Sequence, residues 1–360
     1  MTLRNIKLVF LCLVTLTAQA GTSLDENFIP FTKDSWNLEK AKIVNIDGRQ
    51  AISGVAVLTG QTFENGIIEM ELKTDGSRGF PGIIFREDGA GNGENIYLRP
   101  HNSGRHDAAQ YAPDFNDQTG WQLYYGEGFT ASPTIASNQW LTLRIEVKDS
   151  KARAFLNDMS SPILVTPTLK GKPGPGRILI SDGGKGTYLA NFRMKKTSDL
   201  NFPEIPPAPT IISGLPSWKI SKAFPADDPG IKNLSFLDAK NIEWTQIELE
   251  PSGLANISRY LPLVKDKPSV VYAKTVLKSD KQKRIKLEFG YSDDVIIFHN
   301  RRAVYSGQAS FRSREPSFYG LVGYNDAIYL DLNKGENEIL LQLTENFGGW
   351  GFMMRSVPAE

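Results

Sequence analysis

The sequence predicts an all-β protein in which two β-sandwich domains of jelly-roll type are joined by a proline-rich linker. Apolar residues at helical spacing are almost absent, whereas short runs that alternate apolar and polar residues recur along the chain. Glycine, asparagine and aspartate separate these runs at intervals typical of antiparallel strands. A cluster of prolines then divides the chain into two parts.

The first twenty residues, MTLRNIKLVFLCLVTLTAQA, have the features of a secretory signal peptide (1–20). Arg4 and Lys7 precede an apolar run, and Ala18-Gln19-Ala20 has the small-x-small pattern of a cleavage site. The apolar run is too short to span a bilayer, and no later stretch reaches the roughly 18 to 20 apolar residues that a spanning helix needs. We therefore expect an exported protein without a membrane span.

Composition narrows the compartment and the partners. The one cysteine, Cys12, lies in the signal segment, so the mature chain would contain no disulfide. A cysteine-free exported protein of this size fits a bacterial periplasm or cell surface better than eukaryotic secretion. The full chain has a formal net charge of +1, and removal of Arg4 and Lys7 would make it about −1. Nothing in this balance indicates a nucleic acid as partner.

The proline cluster marks the domain boundary. Residues 200–216 read LNFPEIPPAPTIISGLP and include five prolines, which disfavour a helix and keep the backbone extended. A mature chain of about 340 residues also exceeds what one hydrophobic core usually covers. We place the first sandwich at 22–197, the linker at 198–213 and the second sandwich at 214–356.

Seven runs in the first part have the period-2 pattern of strands with one buried face. They are Gly66–Lys73, Gly82–Arg86, Asn95–Arg99, Trp140–Val147, Arg153–Asn157, Arg177–Ser181 and Thr187–Phe192. Two sheets built from such strands must bury their apolar faces against each other.

The second part repeats this pattern, and we expect a second sandwich. Its predicted strands are Ser269–Leu277, Arg284–Phe289, Asp294–His299, Ala327–Leu332 and Glu338–Thr344. Asn333-Lys-Gly-Glu-Asn is predicted to form a glycine turn between the last two strands.

A polar stretch, IYLRPHNSGRHDAAQY (96–111), contains two of the three histidines of the chain. Side chains alternate across a strand, so Ile96 and Leu98 should face the core while Tyr97 and Arg99 face outward. Neighbouring segments would add further aromatic, amide and guanidinium groups. Aromatic faces stack on sugar rings, and planar polar groups bind sugar hydroxyls. The predicted ligand-binding residues are Arg86, Tyr97, Arg99, His101, Gln110, Tyr111, Trp121 and Tyr124, with Tyr125 as the alternative to Tyr124.

Catalysis on a sugar is an open alternative. Glu69 and Glu71 are two residues apart on one strand face, a spacing compatible with the carboxylate pair of a glycosidase, and His101 is a candidate base. Alternating glutamates are also an ordinary way to keep a strand face exposed to solvent. The alternative interpretation of His101 and His106 is that both are solvent-exposed loop residues without a catalytic role.

Metal sites and the second domain offer weaker candidates. The histidine spacing fits no standard zinc site, so we expect no transition metal. The acidic loop DGAGNGE (88–94) leaves a structural calcium ion open, and no other cofactor is expected. In the second domain, Asp293, Arg312 and Arg314 could contact a ligand, or form surface ion pairs instead.

The runs TFENGIIEMELK, RGFPGIIFRE, ENIYLRPHNSG, DAAQY, WLTLRIEV and YLANFRM follow one another between Trp36 and Met194. In this order they resemble the laminin-G-like, concanavalin A-type sandwiches of bacterial exported proteins, and are similar to the branch related to 3-keto-disaccharide hydrolase domains. The resemblance implies a ligand, by default a carbohydrate, on the concave face or loop rim, and carries over no catalytic residue.

The segments DDVIIFHNRRAVYSG and YLDLNKGENEILLQLTEN resemble galactose-binding-like jelly rolls. Asn300-Arg301 stands where that family has Asn-Gly. Three hypotheses follow: an exported carbohydrate-binding protein, a hydrolase or lyase acting on glycosides or their 3-keto forms, and an adhesion or assembly module that binds protein. Oligomeric state is left open.

Overall fold

The structure of the protein is a computed structural model that describes residues 24–204, 210–211, 213–232, 234–238, 242–265 and 267–358. The predicted signal peptide lies outside the described residues, as do residues 205–209 and 212 of the predicted linker. Within the described part, no helix is long and apolar enough to cross a membrane. The short helices there are 3₁₀ turns at Asp25–Asn27, Pro100–Asn102, Pro229–Lys232, Leu234–Asp238, Ile257–Arg259 and Pro316–Phe318.

The first domain contains thirteen strands in one continuous antiparallel sheet. The strands are β1 (Trp36–Ile46), β2 (Arg49–Leu58), β3 (Gly66–Thr74), β4 (Gly82–Glu87), β5 (Gly93–Leu98), β6 (Ala109–Phe115), β7 (Gln118–Thr119), β8 (Thr130–Ala131), β9 (Trp140–Lys148), β10 (Lys151–Leu156), β11 (Leu164–Thr166), β12 (Arg177–Ser181) and β13 (Thr187–Lys196).

This sheet curls over its own apolar face and so forms a sandwich. Its strand order is β11-β10-β9-β3-β13-β2-β12-β4-β5-β6-β7, with β1 added on β2 and β8 on β6. Alternate residues of β3, including Met70 and Leu72, pack against alternate residues of β5, including Ile96 and Leu98, and all four are buried. The period-2 pattern therefore produces the core that the sequence predicts.

The second domain contains two further antiparallel sheets, of seven and four strands. Its strands are β14 (Trp218–Ile220), β15 (Phe224–Pro225), β16 (Thr245–Ile247), β17 (Leu254–Asn256), β18 (Ser269–Ser279), β19 (Lys283–Ser292), β20 (Asp294–His299), β21 (Arg302–Gln308), β22 (Asp326–Leu332), β23 (Gly335–Glu345) and β24 (Gly351–Pro358).

The two sheets of the second domain pack face to face. One has the order β16-β14-β18-β23-β20-β21, with β15 added on β18, and the other has the order β17-β24-β19-β22. Trp218, Phe289, Trp350 and Phe352 fill the space between them and are almost fully buried. The predicted glycine turn after Leu332 links strands of opposite sheets, because β22 pairs with β19 while β23 pairs with β18 and β20.

The all-β prediction is confirmed, and so is the sandwich architecture. The predicted domain boundaries stay predictions, because part of the linker lies outside the described residues. The strands β1 and β2 were not predicted, although they form one of the longest pairs. A register shift between Asn37 and Lys40 breaks the alternation of β1, and the exposure of most β1 side chains removes the apolar signal.

The two domains contact each other through residues 116–126, which we call the seam segment. Asn116 Nδ2 donates to Ser258 O over 2.7 Å, and Gln118 Nε2 donates to Leu261 O over 3.1 Å. Leu123 and Tyr124 form a separate apolar cluster with Leu254 and Val322 of the second domain. The contact thus combines buried apolar surface with paired polar groups, so the domains pack as one unit.

Gln122 forms the centre of this contact. Its side chain is fully buried; Nε2 donates to Gly320 O over 3.1 Å, and Oε1 accepts from Gly349 N over 3.3 Å. At Gly348 the backbone has φ +118°, and an added Cβ would overlap Gln122 Oε1. Glycine is therefore required at position 348 both for its conformation and for the close approach of the two domains.

Candidate functional site

A cavity of about 700 Å³ lies between the two domains, and we call it the interdomain cavity. Its volume falls in the range of roughly 300 to 1,000 Å³ that is typical of small-molecule sites. Its first-domain lining includes Arg78, Phe80, Asn95, Tyr97, Arg99, His101, Asn102, Arg105, His106, Asp107, Gln110, Asp117 and Trp121, and its second-domain lining includes Leu263, Phe311, Arg312, Tyr319, Leu321, Asn346, Phe347 and Gly348. The seam segment brings these two sets together.

Adjacent positions of β5 and β6 form one wall of the cavity. Tyr97 pairs with Gln110 in the sheet, so both side chains project to the same side, opposite the core residues Ile96 and Leu98. Tyr97 Oη donates to Gln110 Oε1 over 2.8 Å. Gln110 Nε2 in turn donates to Trp121 O over 3.0 Å and so ties the sheet to the seam segment.

Arg99 completes this wall with a network of buried polar groups. Its side chain is only 7% exposed, and its guanidinium donates to Gln110 Oε1 over 2.6 Å and pairs with Asp107. Asn102 Nδ2 also donates to Asp107 Oδ1, over 3.0 Å. The network fixes the orientation of each member, which is what a selective polar site requires.

Aromatic rings line the cavity from both domains. From the first domain, Phe80 is 39% exposed and packs edge-on against Tyr97. Trp121 contacts two rings of the second domain, Phe311 at a centroid distance of 5.9 Å and Phe347 at 6.3 Å. Because Phe347 is 65% exposed, its ring face is available to a ligand.

Burial and positive charge set the electrostatics of the cavity. Burial raises the pKa of Tyr97 to about 12, so its hydroxyl remains protonated and can donate. Burial also lowers the pKa of His101, and the nearby cations Arg78 and Arg99 lower it further. His101 packs on Phe80 at a centroid distance of 5.5 Å. A neutral imidazole can therefore face the cavity near neutral pH.

The second domain contributes a wall that depends on Asp293. Asp293 is buried, and its Oδ2 accepts from Asn346 N over 3.0 Å and from Phe347 N over 3.1 Å. These bonds fix the loop that carries Phe347 into the cavity. Arg312 lines the same wall, with its guanidinium over the Phe311 ring.

Five of the predicted ligand-binding residues line the interdomain cavity: Tyr97, Arg99, His101, Gln110 and Trp121. Both histidines of the stretch 96–111 line it as well. The structure thus brings these five side chains together on one polar and aromatic surface. The expected position differs, because the second domain covers this face and the site is not confined to the first domain.

Three other predicted binding residues lie away from the cavity lining. Arg86 points elsewhere because its backbone has φ +54°, which breaks the alternation of β4; its guanidinium donates to Glu64 O and Asp149 O. Tyr111 is in the core, where its hydroxyl donates to Glu94, and Tyr124 is in the domain contact, where its hydroxyl donates to Glu250. Tyr125, the alternative to Tyr124, does line the cavity.

The predicted catalytic glutamates are also outside the cavity lining, and both are engaged in ion pairs. Glu69 Oε2 accepts from Arg144 Nε over 2.8 Å, and Glu71 pairs with Arg49. These pairs join β3 to its neighbour β9 and to β2, which lies beyond β13 in the strand order, and this is a structural role.

Among the second-domain candidates, Arg312 lines the cavity and Asp293 supports it, whereas Arg314 does neither. Arg314 is bonded to Asp326, with an N–O distance of 2.6 Å, and to Tyr291. The two arginines do not share a strand face, because Arg312 has φ +66° and lies in a turn.

The loop proposed for calcium satisfies its own backbone. Asp88 Oδ1 accepts from Ala90 N over 2.8 Å, and Glu87 Oε1 accepts from Gly89 N over 2.9 Å. Throughout the described ranges, no group of three or more histidine, cysteine or acidic residues could hold a metal ion.

Several lining residues were missed by the sequence reasoning, notably Arg78, Phe80, Phe311, Tyr319 and Phe347. Phe80 and Phe347 each adjoin a glycine in a segment without strand alternation. An aromatic residue in such a loop has no strand to place it in the core, and this signal could have identified both. The other three lacked a local signal, since their place depends on how the domains pack.

Comparisons with known proteins give a low overall likeness. No protein-family model matches the chain, and no curated protein sequence matches it. One similar solved structure is carbohydrate binding module CBM66 from Bacillus subtilis, with 13% identity and a TM-score of 0.33; the match covers 46% of this chain and 96% of that chain. Another is a putative glycosyl hydrolase from Parabacteroides distasonis, with 14% identity and a TM-score of 0.33; the match covers 46% of this chain and 89% of that chain. A beta-glucanase from Bacillus licheniformis is similar at 12% identity and a TM-score of 0.34, with 48% of this chain and 96% of that chain covered. At this level of likeness, these structures assign no role to any residue here.

Proposed function

We propose that this protein binds a saccharide in the interdomain cavity. The observation that carries the proposal is the convergence, in one partly enclosed space, of aromatic rings from both domains with the buried network of Tyr97, Arg99 and Gln110. Aromatic faces bind the C–H side of a sugar ring, while fixed amide, hydroxyl and guanidinium groups bind its hydroxyls. No single-domain surface would provide both walls.

The lining favours binding over hydrolysis by a carboxylate pair. Its acidic residues, within the part of the chain that the structure describes, are Asp107 and Asp117. Asp107 is bonded to Arg99 and Asn102, so it is held as an ion-pair partner and not as a free acid or base. A two-carboxylate glycosidase needs two such groups on either side of the scissile bond.

The shape of the site favours a small ligand over a protein partner. A stable protein interface usually covers about 800 Å² on each partner, whereas this lining is concave and closed on two sides. We further propose that binding takes place outside the cytoplasm, in a bacterial periplasm or at the cell surface, and the signal-like sequence of residues 1–20 supports this location.

Removal of the Trp121 side chain tests the proposed site. Calorimetric titration with a panel of neutral and acidic oligosaccharides should give binding without product release. Because Trp121 joins both walls, Trp121→Ala should weaken binding about tenfold or more, which is about 1.4 kcal/mol.

Trp140→Ala is the matched control for this substitution. Trp140 lies on β9, stacks on Arg49 and is not part of the cavity lining. The Trp140→Ala variant should bind the saccharide with the affinity of the unchanged protein. Equal affinity of the Trp121→Ala variant, or turnover of the saccharide, would contradict the proposal.

A further inference from the structure

The charged groups that line the interdomain cavity are unevenly balanced. They comprise four arginines, Arg78, Arg99, Arg105 and Arg312, against the two aspartates Asp107 and Asp117. The chain as a whole has a formal net charge of only +1. The excess of positive charge is therefore a local property of this cavity and not a general feature of the surface.

Three of these arginines have no acidic partner among the residues that the structure describes. Arg99 is paired with Asp107, which uses one cation and one anion. In the described part of the chain, Arg78, Arg105 and Arg312 form no ion pair; Arg78 lies over the Phe80 ring, and Arg312 lies over the Phe311 ring. Asp117 is the one further aspartate of the lining in the part of the chain that the structure describes.

Two polar atoms in the same lining also lack partners. Arg99 Nε and His101 Nδ1 are both buried and have no hydrogen-bond partner among the described residues. Arg99 is more than nine-tenths buried. A buried donor without a partner is costly, and the cost is relieved when a ligand supplies an acceptor.

The positive charge also acts on His101. Burial lowers the pKa of His101, and the cations Arg78, Arg99 and Arg105 add to this effect, while Asp107 opposes it. Three arginines of the first domain are thus close enough to one side chain to act together, and Arg312 lines the same cavity from the second domain.

From this arrangement, we propose that the ligand of the interdomain cavity is an acidic saccharide whose anionic groups are bound by Arg78, Arg105 and Arg312. The proposal rests on the proposed function and adds the ligand class to it. The guanidinium group binds carboxylate and sulfate through paired hydrogen bonds, and it is weakly hydrated enough to do so inside a cavity. A uronate and a sulfated sugar share this chemistry.

A matched pair of probes that differ only in charge tests the ligand class. Trigalacturonate and its methyl ester have the same rings, and a dextran oligosaccharide with its sulfated form provides the second pair. At low salt the acid or the sulfate should bind about tenfold tighter than its neutral form. Added salt should reduce this preference, because ions screen the attraction.

Substitution of the three arginines tests the residues. Arg78→Gln, Arg105→Gln and Arg312→Gln should each weaken binding of the acidic form about tenfold, with little change for the neutral form. The control is Arg302→Gln, which removes one positive charge in the same way. Arg302 is an exposed residue of β21 outside the cavity lining. Arg312→Lys should retain part of the preference, and thermal unfolding of each variant checks that it is folded.

The outcomes separate this inference from the proposed function. Preference within the galacturonate pair indicates a carboxylate ligand, and preference within the dextran pair indicates a sulfate ligand; either supports the inference. Binding of neutral forms as tightly as acidic ones would overturn it and leave the proposed function intact. If no saccharide of either kind binds, both fall.

Discussion

Arg99 shows how one residue can belong to a site and to the fold at once. Its backbone N donates to Ala108 O over 2.7 Å, which extends the β5–β6 pairing one step beyond the end of β5. Its side chain therefore stays on the face that Tyr97 and Gln110 occupy. Strand alternation predicts this placement from the sequence, since it depends only on a local period of two.

Arg86 shows where the same reasoning fails. The β4–β12 pairing has a register shift beside Arg177, and the positive φ of Arg86 turns its side chain away from the face predicted for it. A bulge of this kind has no clear signature in a single sequence when the residue is not glycine. Arg312 also has a positive φ, and it lines the cavity from a turn.

Asp114 provides a prediction about pH and stability. It lies on β6 beside Asn95, and burial raises its pKa to about 6, whereas the value in the unfolded chain is about 3.9. The folded state thus holds the proton more tightly, so this group lowers the free energy of unfolding as the pH rises from about 4 to about 6.

Asp114→Asn should remove that penalty. The free energy of unfolding of the variant, minus that of the unchanged protein, should be about 2 kcal/mol larger at pH 7 than at pH 4. Urea unfolding at both pH values measures this difference. Asp34→Asn, at an exposed aspartate, should show no such change. An equal difference at the two pH values would refute the raised pKa of Asp114.

At the scale of elements, the seam segment determines whether the site exists. It carries Trp121 into the cavity and Gln122 into the domain contact, and its backbone accepts from Gln110 of β6. No strand was predicted in the stretch 116–126, although Trp121 and Tyr124 were predicted there as binding residues. Its role depends on contacts with residues more than a hundred positions away, which local patterns do not encode.

Gly348→Ala should separate the walls of the cavity. The added Cβ would overlap Gln122 Oε1, and the backbone at φ +118° disfavours any side chain. Calorimetric unfolding of the unchanged protein should give one coupled transition, whereas the variant should show a lower midpoint or two transitions, together with weaker saccharide binding.

Gly335→Ala separates backbone strain from contact. Gly335 has φ +102°, yet nothing lies within 4 Å of an added Cβ. The Gly335→Ala substitution should lower the stability of the protein modestly without weakening saccharide binding. If both variants behave alike, the close approach at Gly348 contributes nothing specific, and the seam does not shape the site.

At the scale of the whole molecule, the sequence was sufficient for the all-β class and the two sandwiches but not for the place of the site. Alternation and turn residues act locally, and they specify strands and their buried faces. The meeting of Trp121 with Phe311 and Phe347 depends on the packing of two domains, which no local period describes. Five of the eight residues predicted for the first domain therefore line the cavity, as does Arg312 of the second domain, while the aromatic residues of that second wall were not predicted.

The central claim is that one ligand contacts both domains. A crystal structure of the protein with a bound oligosaccharide tests it most directly. We predict a sugar ring within van der Waals contact of Trp121 from the first domain and of Phe347 from the second, with hydroxyls bonded to the Arg99–Gln110 network. A saccharide that contacts one domain only, or that lies outside the interdomain cavity, would contradict it.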